Sequence, residues 1–293
     1  MKILKSSLII PSNSSIDSLN FFFENVLTWT TLPKEIILIN TNKKKIKPDK
    51  IFIDFFYKKK IFIKFFHAPE LYPGAARNIG LKLASYKVIC FLDTGTHASE
   101  EWLENGYKQL TNGKCLISWG NTHYLATSNR EEIIRAATYG RKPLQTLPGT
   151  IVDNKIFNII GGFIDNIRAG EDAEWMYRVY LHNIRSCKNN KIIIYQNLLG
   201  VSYFDIIKKW FRNYSFSRKL SYLNNKRETY FISLSLLLIL IAFNWNPVFT
   251  NWGEEGYENE STYIPHITKM TVSLLFISYF FIRGIYLPIK KKN

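Results

Sequence analysis

One carboxylate, Asp93, stands where the apolar run Cys90–Leu92 gives way to Thr94-Gly95 in "CFLDTGTHASEEWLE". A carboxylate at such a point can hold a hard divalent cation against phosphate oxygens, or it can simply open a turn ahead of Thr-Gly. Two places on, where a second metal-holding acid would stand, the chain has Gly95. Another acidic feature, Glu171-Asp172, follows Gly170 in "RAGEDAEWMYRVYL" and opens a helical pattern that turns Trp175, Met176, Val179 and Tyr180 inward. Adjacent carboxylates there can take a proton from a reacting hydroxyl, or only cap the helix and complement its dipole. Arg77 and Asn78 sit at the start of a helix in "GAARNIG", where free amides favour anions. Upstream of the acidic pair, Gly161 and Gly162 suit a close approach of backbone to a ligand, or else mark a turn. His67, His123 and His182 lack any metal-ligand spacing.

The elements that must position these groups alternate. Strands are predicted at 6–11, 35–40, 61–66, 87–92 and 114–120, and helices at 16–28, 75–85 and 99–110. Short β-branched runs separated by helices indicate an α/β domain, a doubly wound and mostly parallel sheet with helices on both faces. Ligands of such sheets bind at the carboxyl ends of the strands. Pro11, Asn40, His67 and Asp93 all fall at such ends.

The formal net charge of +16 points to an anionic partner, and 46% apolar residues argue against disorder. No nucleic-acid module accompanies the charge, so nucleic acid is not an expected partner. Lys43–Lys45 and Lys58–Lys60 read as solvated loop charges. Cys90, Cys115 and Cys187 are scattered, which is neither a disulfide framework nor a zinc site and fits a reducing compartment.

Composition changes near residue 228. Tyr230–Asn244 carries no charge and the uncharged run continues to Gly253, while Ile267–Pro288 is apolar except for Lys269 and Arg283. A bilayer span needs roughly 20 such residues. Basic residues precede the first segment and follow the second, whereas Glu254, Glu255, Glu258 and Glu260 lie between them. This asymmetry predicts a transmembrane helical hairpin over 229–293 with an acidic external loop at about 246–266 and both ends cytoplasmic. Residues 204–228, with Ile206, Ile207, Trp210, Phe211 and Tyr214 on one helical face, read as a basic amphipathic juxtamembrane helix. Residues 1–203 form the α/β domain.

Three stretches taken in order, "SLIIPSNSSIDSLNFFFENVL", "PGAARNIGLKLASYKVICFLDTGTHASEEWL" and "GGFIDNIRAGEDAEWMYRV", resemble the family 2 glycosyltransferases of GT-A fold over residues 5–220. That resemblance implies an inverting, hexosyltransferase-type reaction in which an acceptor hydroxyl attacks the anomeric carbon of a nucleotide-diphosphate sugar. It implies Asp172, with Glu171, as catalytic base. It places Pro11, Ser12, Asn40, Arg77, Asn78 and Asp93 around the donor, and Gly161 and Gly162 at a close approach near the acceptor. The family pattern has Asp-x-Asp where this chain has Asp93-Thr94-Gly95, so a divalent cofactor, Mg²⁺ or Mn²⁺, would rest on Asp93 alone. The second strand also departs from the pattern, offering Asn40 and Thr41 where acidic residues are common. The expected acceptor is a lipid-linked or other glycan at the cytoplasmic face of a membrane, in polysaccharide or glycolipid synthesis. A non-catalytic relative that binds a nucleotide sugar or a partner is the alternative.

Overall fold

The computed structural model describes residues 1–139 and 142–196, with Ser202, Phe204, Asp205, Lys208, Lys209 and Arg212. The chain divides into two compact units, Met1–Ser217 and Arg218–Asn293. The expected membrane hairpin and most of the expected amphipathic helix lie outside the described residues. Among the described residues no helix is long and apolar enough to cross a membrane.

The order of elements is β1 (Lys2–Ser12), α1 (Ile16–Leu27), β2 (Thr31–Asn40), α2 (Lys50–Lys58), β3 (Phe62–His67), α3 (Pro73–Leu83), β4 (Val88–Phe91) and β5 (Thr96–Ala98). There follow α4 (Trp102–Thr111), β6 (Ile117–Tyr124), α5 (Asn129–Thr138), β7 (Leu144–Asp153), α6 (Ile156–Ile160), α7 (Glu171–Leu181) and β8 (Ser186–Tyr195). They build one sheet in the order β3-β2-β1-β4-β7-β6-β8-β5. Its first half, β3 to β4, is parallel throughout. In its second half β7 runs antiparallel between β4 and β6, and β8 returns parallel to β6. The sheet is therefore mixed, and the expectation of a mostly parallel one holds only for the first half.

Side-chain alternation builds a core on each face. Leu8 and Ile10 of β1 point to the face covered by α1, α2 and α4, with Phe22, Phe23, Phe56 and Trp102. Ile9 points to the other face, with Ala76 of α3, Ile156 of α6 and Trp175 and Val179 of α7. Both faces of β1 and β2 are covered, which is why their sequences are near-continuous apolar runs. Each fully buried aliphatic side chain adds roughly 1.5–3 kcal/mol. The helix that opens on the acidic pair buries Trp175 and Val179 and half-buries Met176, but Tyr180 is 75% exposed rather than inward.

Two further differences have physical causes. The predicted turn after Asp93 contains the short β5, whose partner is β8. Cys115 and Cys187 form a disulfide, with their Cα atoms 5.8 Å apart. They are 72 residues apart in sequence; the pairing of β6 with β8 aligns Ser118 with Cys187 and so brings them together. Cys90 is free and buried, as expected of a core residue.

Glu35 ties the parallel half together from inside β2. Its carboxylate accepts from Ser7 Oγ at 2.5 Å, from Ser85 N and Oγ at 2.9 and 2.8 Å, and pairs with Lys64 Nζ at 2.6 Å. Burial works to raise this carboxyl, but Lys64, Ser7 and Ser85 outweigh it and hold it below the ordinary carboxylate range. A depressed acid adds stability above its unfolded-state pKa, lost as pH falls through its folded value. Glu35→Gln is expected to cost about 2–3 kcal/mol at neutral pH. In urea denaturation the gap from the parent should narrow as the pH falls below the ordinary carboxylate range.

Candidate active site

The carboxyl ends of the parallel strands open into a cleft of about 1050 Å³. Pro11 and Ser12 from the end of β1, Arg77 from α3, Asp93 beyond β4, and Glu171 and Asp172 from the start of α7 all line it. The chain crossings that create the parallel half deliver these groups together, although up to 94 residues separate contacting partners.

Arg77 is the hinge of the arrangement. It is 4% exposed, donates from Nη1 to Glu171 Oε1 at 2.7 Å, and donates from Nη2 to Asp93 Oδ1 at 3.2 Å. Its third nitrogen, Nε, is buried and has no hydrogen-bond partner among the described residues. Burial works against its charge, but Asp93, Glu171 and Asp172 outweigh that and keep the guanidinium firmly protonated. Glu171 is itself buried, and burial together with Asp172 pushes its carboxyl up against the pull of Arg77.

The two members of the acidic pair are thus in different situations. Glu171 is bound to Arg77 from within. Asp172 is half-buried at the cleft wall, and its Oδ1 accepts from Ala173 N at 2.8 Å. Among the described residues Asp172 has no ion-pair partner. Both acids lie in the first turn of α7, where the helix dipole favours negative charge.

Asn78 and the two glycines serve the frame of the site rather than its wall. The Asn78 amide donates to Phe163 O at 2.7 Å and accepts from Phe163 N at 2.9 Å, in the manner of a paired strand. The close approach at Gly162 is to this amide: a Cβ there would lie 2.5 Å from Asn78 Oδ1. Gly161, at φ 75°, supplies a conformation that favours glycine. Trp175 Nε1 donates to Gly161 O at 3.2 Å and Arg178 Nη2 to Gly162 O at 2.6 Å, fixing the loop to α7. Asn40 is 3% exposed and does not line the cleft; Thr41 and Asn42, the next residues, do.

A wall of three tyrosines was not legible in the sequence. Tyr124 at the end of β6 stacks on Tyr139 with ring centroids 3.7 Å apart, and on Tyr195 of β8 at 5.6 Å. All three line the cleft. Burial pushes the Tyr139 phenol up to about 12, and burial with neighbouring Asp93 raises that of Tyr195, so both are neutral hydroxyls near pH 7. Tyr124 and Tyr195 end strands β6 and β8 and Tyr139 follows α5; the strand-end positions were the available signal, but β8 was not predicted.

The residues present do not fit a divalent ion held by two carboxylates. Asp93 is the one acid of its turn, and its Oδ1 is engaged by Arg77. Among the described residues no group of three His, Cys, Asp or Glu side chains is placed to hold a metal. A cation about 4 Å from the fixed guanidinium would meet about 4 kcal/mol of repulsion per unit charge at an effective dielectric of 20.

A nucleotide-sized cleft at the carboxyl ends of a half-parallel sheet, with an acid after β4 and an acidic pair opening α7, defines a GT-A-like transferase scaffold. Residues 7–169 match the model described as Glycosyl transferase family 2, more than half of the chain, and the chain belongs to that family. Over 179 residues it is 29% identical to an uncharacterized glycosyltransferase of Rickettsia bellii (strain RML369-C), covering 58% of this chain and 25% of that one. A second, from Rickettsia felis (strain ATCC VR-1525 / URRWXCal2), is 28% identical over 179 residues, covering 58% of this chain and 29% of that one. The aligned part of the chain thus spans little more than a quarter of these curated relatives. The crystal structure of GalNAc-T7 with UDP, GalNAc and Mn²⁺ shares the fold, with a TM-score of 0.50, 15% identity, and coverage of 73% of this chain and 50% of that one.

Removing the guanidinium should leave two acids uncompensated, one of them buried. Arg77→Met is expected to destabilise the domain by about 3–5 kcal/mol, and the added change Glu171→Gln to recover part of that loss. Chemical denaturation of the two single variants and the double variant measures the coupling.

Proposed function

We propose that the chain transfers a sugar from a nucleoside-diphosphate donor to an acceptor hydroxyl, with inversion at the anomeric carbon. The observation that carries this reading is the division of labour in the acidic pair: Glu171 is locked to Arg77, while Asp172 lines the same cleft with no direct ion pair among the described residues.

In the proposed step the acceptor oxygen bonds to the anomeric carbon as its proton passes to a carboxylate oxygen of Asp172. The bond from that carbon to the diphosphate oxygen breaks, and its electron pair leaves with the diphosphate. Such a transition state is oxocarbenium-like, and holding acceptor and donor in line supplies much of the acceleration. Pro11, Ser12, Thr41 and Asn42 lie at the end of the cleft where a strand-end site takes the nucleoside. Arg77 is a positioning residue: it fixes Asp93 and Glu171 and thereby the start of α7. A donor of the UDP-sugar class is consistent with the ligands of the GalNAc-T7 structure.

Acceptor and location rest on the sequence alone. The uncharged run from Tyr230, the apolar segment Ile267–Pro288 and the charge asymmetry around them favour a membrane-associated acceptor, which would gain effective concentration from confinement to one surface. The full chain should therefore sediment with membranes and resist extraction by high salt; release by salt alone would refute the anchor.

Asp172→Asn should lower turnover by about 10²–10⁴-fold while leaving nucleotide affinity near that of the parent. The measurement is nucleoside-diphosphate release with donor and acceptor present, beside calorimetric binding of the nucleotide. Full turnover by Asp172→Asn would refute the base assignment. A folded parent chain that binds nucleotide but never releases product would favour the non-catalytic alternative.

A further inference from the structure

The second carboxylate position of the Asp-x-Asp pattern is filled, not merely lost. A Cβ on Gly95 would lie 2.7 Å from Tyr195 Cε1 and 3.4 Å from Cζ. The ring cannot easily give way, because Tyr195 is stacked on Tyr124, which is stacked in turn on Tyr139. The backbone locks the same contact: Gln196 N donates to Gly95 O at 2.9 Å. A side chain at residue 95 and the ring at 195 therefore exclude one another.

The acid that remains is already committed, since Arg77 holds Asp93 as well as Glu171. The cation inside the site is thus outnumbered by the carboxylates around it. Positive charge is instead concentrated at the rim. Arg168 and Lys209 line the cleft, and Arg212 lies near both. Among the described residues none of these three pairs with a carboxylate. Lys209 donates to the hydroxyl of Tyr139, the outer ring of the stack, at 2.8 Å. Burial and then Arg212 lower the Lys209 ammonium, and burial and then Arg168 lower the Arg212 guanidinium, so Lys209 and Arg212 both gain from a nearby anion.

We propose that the cleft receives the diphosphate of its donor without a divalent cation, with Arg168 and Lys209 supplying the positive charge and Tyr195 occupying the place of the missing carboxylate. The inference rests on the reading of the cleft as a nucleotide-sugar site. In the transfer step the electron pair leaving with the diphosphate oxygen is stabilised by a guanidinium and an ammonium, which bind such oxygens through charge-assisted hydrogen bonds.

The test is calorimetric binding of UDP, GDP, ADP and dTDP to the full chain, in excess EDTA and in saturating Mn²⁺. At least one nucleotide should bind, with Kd equal within about twofold in the two conditions. Arg168→Gln and Lys209→Gln should each weaken that nucleotide by about tenfold or more and leave its parent nucleoside unchanged. The double variant Gly95→Asp/Tyr195→Ala restores both the carboxylate and its room, and should make binding improve with Mn²⁺. Binding that requires Mn²⁺ in the parent chain would overturn the inference and leave the donor reading standing. Equal weakening of nucleotide and nucleoside by the two rim variants would overturn the charge assignment. A chain folded by circular dichroism that binds none of the four in either condition would overturn the donor reading, and the inference with it.

Discussion

A single buried guanidinium organises the site. Arg77 joins α3 to the turn after β4 and to the start of α7, contacting partners 16 and 94 residues away. Burying a charge costs several kcal/mol, and the cost is offset only where geometry and hydrogen bonds are good. Here the acids supply both, and the result is a fixed distance between a strand end and a helix start. Any movement of α7 relative to α3 would break a bond of 2.7 Å to a nearly inaccessible acid. The frame around this contact is redundant: Asn78 pairs with Phe163, while Trp175 and Arg178 hold Gly161 and Gly162 from the other side. The glycine pair is thus a joint between two helices, and its small residues are needed for protein packing before any ligand arrives.

That contact also explains how two adjacent carboxylates acquire different chemistry. Successive residues at a helix start point in different directions, so one can reach inward to Arg77 while the next faces the cleft. Glu171 is committed to the frame through its Oε1 bond to Arg77. Asp172 accepts only from the neighbouring Ala173 N and lines the cleft, which suits the base role proposed for it. An isolated Glu-Asp at a helix start would be an ordinary dipole partner; beside a buried arginine it becomes a pair in two different environments.

The sequence was informative where local pattern and tertiary role agree. The runs of β1, β2 and β4 are apolar because both of their faces are covered, and that signature located them, the strand end at Pro11 and Ser12, and Asp93 just beyond β4. The acidic pair and Arg77 were visible from residue type and from their place at helix starts. β7 was missed because Pro148 and Gly149 interrupt it, and such residues normally mark a turn. β8 was missed because it opens on Ser-Cys-Lys-Asn-Asn, a polar stretch without alternation. With β8 unseen, neither the disulfide to Cys187 nor the ring of Tyr195 could be placed. Asn40 stands apart: the strand end was located at the right residue, but the alternation of the strand turns that last side chain into the core, and Thr41 and Asn42 beyond it line the cleft.

The departure at Gly95 takes its meaning from these missed elements. Read along the chain, it is a vacancy in an acidic motif. Read across the sheet, it is one half of a steric exchange in which a tyrosine from β8 occupies the volume a carboxylate would need. The exchange removes a negative charge from the cleft floor, and charge balance then shifts to the rim. With Asp93, Glu171 and Asp172 against one internal cation, a second acid would leave the floor too negative to accept an anion without a metal. Without that acid, Arg168 and Lys209, which pair with no carboxylate among the described residues, would face the proposed diphosphate on more nearly even terms. The absence of a second carboxylate and the presence of rim cations that pair with no acid among the described residues are two sides of the same electrostatic constraint.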